Sequence, residues 1–242
     1  MNLKFFILAL CIQSAIYSQS NVYNGLNIIF NDGKFNFTKT QKDFIFNSIN
    51  AAEKDIRTLL PNLPKDITIS IKIIDRNFDT NGGVNGRAER NSPAEVAIEI
   101  SNVYPGGVNK AMKTAIIPVI YHEFHHLSRG WTIKDNKYNT EIYTAAVNEG
   151  LAIVFSEIHT EVFLPWNKYS NETENWVEEI LSLSKNSNYN KWMFQHPDGR
   201  IGVGYKAGNF IIRKAMNNSD KNILELSKLS PKKILKLAGY KL

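Results

Sequence analysis

The segment Tyr121-His122-Glu123-Phe124-His125-His126 sets two imidazoles four residues apart, with a carboxylate directly after the first. On a helix, positions four apart lie about one turn apart on one face. His122 and His126 can then aim their ring nitrogens at a single divalent ion. Zinc accepts neutral imidazole nitrogen and takes four ligands in a tetrahedron, with one position left open when the site is catalytic. Glu123 is rotated about 100° from His122. It stands beside that open position, where a carboxylate can take a proton from water that the ion has acidified.

Two histidines leave a ligand to find. The best candidate is Glu149, in Asn148-Glu149-Gly150-Leu151-Ala152. Its surroundings, Ala145 to Val147 and Leu151 to Val154, are apolar. An unpaired carboxylate in such a helix carries a heavy desolvation cost, and an ion would be its partner. One zinc ion held by His122, His126 and Glu149 is therefore expected, with Glu123 as general base. His125 lies about 60° from His122, on the other side from His126, and is left out of the ligand set. Arg129 reads as a helix-end cap or as a contact for a substrate carboxylate. Asn148 reads as a local hydrogen-bonder or a contact for a substrate backbone.

The elements that must position these groups are legible in outline. Ile67, Ile69, Ile71 and Ile73 alternate with Thr68, Ser70 and Lys72, a half-buried strand. Val96, Ile98 and Ile100 alternate with Glu95, Ala97 and Glu99 in the same way, and Leu26 to Phe30 reads as a first strand. Thr40-Gln41-Lys42-Asp43 reads as a helix start of the capping-box type, ahead of Ile45, Ile49, Ala52, Ile56 and Leu59 at helical spacing. Asn81-Gly82-Gly83 and Asn85-Gly86 read as turns. A long helix is expected from Asn109 to about Ser128, with Pro118 kinking it or marking a restart. A second is expected from Thr140 to Thr160, followed by shorter ones at 172–184, 205–216, 223–229 and 231–237. Strands come first and helices after, so the class is α+β.

The chain of 242 residues suits one domain with its own core. Its 43% hydrophobic and 21% charged residues exclude a disordered chain. The net charge of +6 is spread among acids without a basic stripe, so no nucleic-acid partner is expected. Lys4 followed by the apolar run Phe5 to Ile16, then Ser18-Gln19-Ser20, reads as a secretory signal over residues 1–20, cleaved after Ser18 or Ser20. The domain proper is 21–242, exported to a periplasm or medium. No later run approaches the ~18 apolar residues of a membrane span. Cys11 is the only cysteine and lies in the signal, so the exported chain forms no disulfide. Leu10 stands where a lipobox needs a small residue, which argues against a lipid anchor.

His122-Glu123-Phe124-His125-His126-Leu127-Ser128-Arg129, Asn148-Glu149-Gly150-Leu151-Ala152 and Gly204-Tyr205-Lys206-Ala207-Gly208 together resemble the gluzincin branch of zinc metallopeptidases. More narrowly, they resemble the predicted Zn-dependent proteases known as domain of unknown function 2268. The resemblance spans residues 67–215. It implies a zincin-like fold, a mixed sheet whose edge strand borders the active-site helix, and hydrolysis of a peptide or protein substrate. It implies that Val96 to Ser101 is that edge strand. It also implies an oxyanion donor downstream, either Tyr205 or His196. Gluzincins often carry an Asp four residues after the glutamate ligand; here that residue is Ile153. The outer N–H of His122 then needs a backbone carbonyl, a water or a side chain such as Glu157. Two other readings stay open: a catalytically silent binding protein of the same fold, and a zinc hydrolase of a non-peptide amide or ester.

Overall fold

The computed structural model describes residues 19–23 and 25–241, with side chains from Gly25 onward. The expected signal, residues 1–20, lies outside the described residues except for Gln19 and Ser20, which open the first strand. Five strands, β1 (Gln19–Tyr23), β2 (Leu26–Phe30), β3 (Ile67–Ile74), β4 (Val84–Asn91) and β5 (Ala94–Ser101), form one mixed sheet in the order β1-β2-β3-β5-β4. β2, β3 and β5 run parallel, while β1 and β4 are antiparallel to their neighbours. The alternating isoleucines of β3 are in register with Leu26, Ile28 and Phe30 on one side and Val96, Ile98 and Ile100 on the other. All of them are buried, because one face of the sheet is covered by α1 (Lys39–Leu59) and α2 (Gly107–Arg129).

Two expectations for this half are corrected. β5 is not the edge strand. It pairs with β3 on one side and β4 on the other, and β4 holds the edge beside α2. Asn85-Gly86 is not a turn but lies inside β4, opposite Glu99 and Ile98. The start of α1 also shifts. Thr38 is the N-cap, accepting from Gln41 N–H, while the Gln41 side chain accepts from Thr38 N–H at 2.9 Å. Asp43, in the box read from the sequence, is instead drawn to Lys39 at 2.7 Å.

The second half is helical: α3 (Ile142–Thr160), α4 (Thr173–Leu181), α5 (Tyr189–Met193), α6 (Val203–Ser219), α7 (Ile223–Leu226) and α8 (Pro231–Leu237). The class is α+β, as expected. α3 is buried along nearly its whole length, as a helix apolar on every side must be. It packs on α2 to one side and α6 to the other. α2 runs through Pro118 as one element and does not restart there. The Pro118 carbonyl accepts from Ser156 Oγ of α3 at 2.8 Å, which fixes the two helices along their length.

Candidate active site

α2 ends about one turn after His126, and its ending shapes the site. Gly130 takes φ 72°, a left-handed conformation that favours glycine, and its N–H bonds to Leu127 O at 3.1 Å. Trp131 N–H returns to His126 O at 3.0 Å. This pair of bonds is the Schellman arrangement. It turns the chain at once, so Trp131 lies back against the helix and is buried.

α3 crosses α6 with backbones in contact. A Cβ on Gly150 would lie 2.3 Å from Gly208 O, and one on Gly208 would lie 1.9 Å from Ala146 O. Only glycine fits at either position. This crossing brings Glu149 of α3 and the Tyr205 end of α6 into one region.

Within that frame His122, His126 and Glu149 converge. His126 Nε2 lies 2.9 Å from His122 Nε2 and 3.1 Å from Glu149 Oε2, and His122 Nε2 lies 3.2 Å from the same oxygen. Ligands about 2.0–2.1 Å from a tetrahedral ion stand ~3.3 Å apart, close to these edges. Two imidazole nitrogens this close would repel through their lone pairs unless a cation lies between them, and a proton can bridge only one pair of the three atoms. Two imidazoles and a carboxylate are also a donor set that zinc accepts. The residues fit the ion. The two neighbouring imidazoles outweigh burial and hold the Glu149 carboxyl far below the usual carboxylate range. Its other oxygen, Oε1, accepts from Trp131 Nε1 at 2.9 Å.

Glu123 is buried, 5% exposed, beside the cluster but not in it. Burial pushes its carboxyl up to about 7, with Glu149 adding to the effect and His122 opposing it. Its carboxylate lies under β4. Ala88 N–H approaches it, and a Cβ on Gly86 would meet Glu123 Oε1 at 2.6 Å. The glycine that reads as a turn in the sequence is there to make room for the carboxylate.

Tyr205 opens α6 with its ring 5.8 Å from Trp166 and 6.0 Å from Phe194. Burial pushes its phenol well up, and Glu149, Tyr189 and Glu123 add to this. Tyr189 of α5 is raised by burial and then by Glu149. Among the described residues neither hydroxyl has a hydrogen-bond partner. His196 lies in a turn, its ring 4.7 Å from Trp192 and its Nδ1 2.8 Å from Asp198. No hydrogen bond or ion pair joins it to the cluster among the described residues.

The remaining residues singled out in the sequence are placed as follows. His125 is fully buried, with Nε2 2.8 Å from Ser227 Oγ, which pins α7 to α2. Arg129 is not a cap of its own helix end but ties α2 to α3 and to the segment after α7. It is buried, bonding Asn148 Oδ1 at 3.0 Å, Leu229 O at 3.2 Å and Ser227 O, with Tyr138 stacked on its guanidinium. Asn148 is correspondingly local, its amide donating to Thr144 O at 2.9 Å. Glu157 pairs with Arg213 and is not the partner of His122.

Trp131, Gly86 and Tyr189 are not legible in the sequence as neighbours of the site. Trp131 had one signal, its place directly after the helix-ending Ser128-Arg129-Gly130. Tyr189 had none, because a five-residue helix leaves no period to read.

Among curated proteins none matches the chain. A solved structure of an aminopeptidase N family protein from Idiomarina loihiensis is similar over 92% of this chain, with a TM-score of 0.46 and 12% identity. The chain spans 40% of the length of that protein. Over residues 103–236, more than half of its length and the part holding Glu123 and all three members of the cluster, the chain matches the family described as "Predicted Zn-dependent protease (DUF2268)", and it belongs to that family.

Proposed function

We propose that this chain is an exported zinc metallopeptidase that hydrolyses peptide bonds, with Glu123 as the base. The observation that carries the reading is the placement of Glu123. A buried carboxylate stands next to a cation-demanding cluster without belonging to it, and directly under a strand edge. A site built only to hold a metal has no use for such a group.

One zinc ion held by His122, His126 and Glu149 would supply Lewis acidity toward water and toward the scissile carbonyl. Glu123, buried beside the cluster but outside it, takes the proton from the attacking water and passes it to the leaving amine. The Tyr205 phenol, kept neutral by burial, is a donor for the oxyanion that forms on the carbonyl. Trp131 holds Glu149 in the orientation that faces the imidazoles. The edge of β4 offers backbone groups to an extended peptide. Export rests on the apolar start of the chain, and no helix among the described residues is long and apolar enough to cross a membrane.

The test compares wild type with Glu123→Gln on a mixed peptide library after zinc loading. Full zinc in both, with cleavage by wild type alone, is the expected result. Full zinc with no cleavage by either supports a binding role or a non-peptide substrate and overturns the peptidase reading.

A further inference from the structure

β4 is an edge strand, yet its edge is not free along its whole length. Ser101 N–H bonds to Gly83 O at 2.8 Å, so the groups of Gly83 face β5. Alternation then turns the N–H and C=O of Val84, Gly86 and Ala88 away from β5. Among the described residues nothing pairs with Val84 or Gly86 on that outer side. Ala88 differs. Its carbonyl accepts from Ile133 N–H at 3.1 Å, and beyond the irregularity between Ala88 and Arg90 the Glu89 carbonyl accepts from Lys134 N–H at 3.0 Å.

The segment that makes these bonds is fastened at both ends. Trp131 is tied to Glu149. Asp135 accepts from Asn91 N–H at 2.7 Å, Ser92 N–H at 3.0 Å and the Thr132 hydroxyl at 2.7 Å. Residues 131–135 therefore lie along the end of β4 where a further strand would have to pair.

We infer that the segment Trp131–Asp135 is a stop for the substrate strand, pairing with the edge of β4 at Ala88 and confining cleavage to the amino-terminal end of peptides. This rests on the peptidase reading above. The direction follows from the strand. Antiparallel addition is the stronger and commoner pairing. A peptide added antiparallel to β4 lays its amino-terminal side over the strand's carboxyl end, which is the occupied end. Gly86 is the open position nearest Glu123, and Ala88 is the next outward position along the edge. At about 3.3 Å per residue that leaves room for roughly one or two residues before the scissile bond. Toward Gly86 and Val84 the peptide can continue.

The experiment uses zinc-loaded full chain and one peptide sequence in four forms: free, amino-acetylated, carboxy-amidated and blocked at both ends with a long extension on each side. Products are identified by mass spectrometry. Stepwise release from the amino terminus is expected, unaffected by amidation and slowed roughly tenfold or more by an amino-terminal extension that must pass the stop. Asp135→Ala and Ile133→Pro, each checked for an unchanged melting profile and zinc content, release the segment and extend cleavage to internal bonds. Internal cleavage of the doubly blocked peptide by wild type, or trimming from the carboxyl end, overturns the stop and leaves the peptidase reading standing. The same cleavage pattern in wild type and both variants also overturns it. No cleavage of any form by zinc-loaded wild type overturns the peptidase reading and the stop together.

Discussion

Trp131 Nε1 donates to Glu149 Oε1 at 2.9 Å, so the residue that ends the turn after α2 grips the ligand supplied by α3. Both partners are buried, and the other oxygen of Glu149 faces the imidazoles. The carboxylate cannot rotate without breaking one side of this arrangement. Trp131→Phe keeps an aromatic ring, smaller than the indole, and removes the donor. Loss of such an outer partner costs about 10- to 100-fold in metal affinity. A chelator competition should show zinc affinity reduced by that order with the fold intact. Unchanged affinity would mean the bond does not orient the ligand.

Gly86 and Glu123 share a space that admits one of them only as glycine. Gly86→Ala places a Cβ 2.6 Å from Glu123 Oε1 and 2.6 Å from Val119 Cγ1, inside contact distance of both. The carboxylate must move by a substantial fraction of its contact distance. Displacing a reacting group by about 1 Å can lower a rate roughly 100-fold. The expected result is a fall of that order in kcat with zinc content and secondary structure retained. The readout is steady-state kinetics beside metal analysis on the same sample.

The crossing of α3 and α6 at Gly150 and Gly208 has no slack. Overpacking a core costs about 1–3 kcal/mol, and here the obstacle is backbone, so the upper part of that range is expected. Gly208→Ala should lower the denaturation midpoint accordingly and should weaken zinc binding, since Glu149 rides on the displaced helix. Thermal unfolding with and without zinc separates the two effects.

These three positions show how unevenly the sequence announces its site. His122, Glu123 and His126 are legible because helical spacing converts directly into convergence. Glu149 is legible because a carboxylate inside an apolar helix demands a partner. Gly150 and Gly208 stand in the motif blocks but reveal their reason only when two backbones meet. Gly86 reads wrongly, because Asn-Gly signals a turn, and nothing local reveals that a carboxylate from α2 will lie too close to admit a Cβ. The edge strand that the resemblance implies falls on β5 in the sequence for a related reason. β5 has the clean apolar alternation of a strand, while β4 carries Asn85, Gly86, Arg87, Glu89 and Arg90, which look like loop residues. Polar residues are what an edge strand tolerates.

Glu99 of β5 accepts from Lys72 and Arg87, each at 3.0 Å. Burial alone would raise its carboxyl, but these two cations outweigh it and hold the group below its usual range. A depressed carboxylate contributes stability that is present above the unfolded pKa, about 4.3, and is lost as pH falls through the folded value. Both cationic partners are partly exposed, so the contribution is about 1 kcal/mol. Glu99→Gln should therefore destabilise the chain at pH 7 and make little difference at the acid end. Denaturant titrations across that range check the sign. A larger effect at low pH than at neutrality would contradict it.

The central claim is that two side chains of α2 and one of α3 bind the same ion. X-ray absorption at the zinc edge, on the loaded full chain, reads that shell directly. The account predicts one zinc per chain with two imidazole nitrogens and one carboxylate oxygen at about 2.0–2.2 Å. It further predicts that Glu149→Ala keeps both imidazoles but binds zinc much more weakly in a chelator competition, with solvent oxygen in the carboxylate's place. A chain that takes up no zinc, or whose zinc affinity is unchanged when Glu149 is removed, would contradict it.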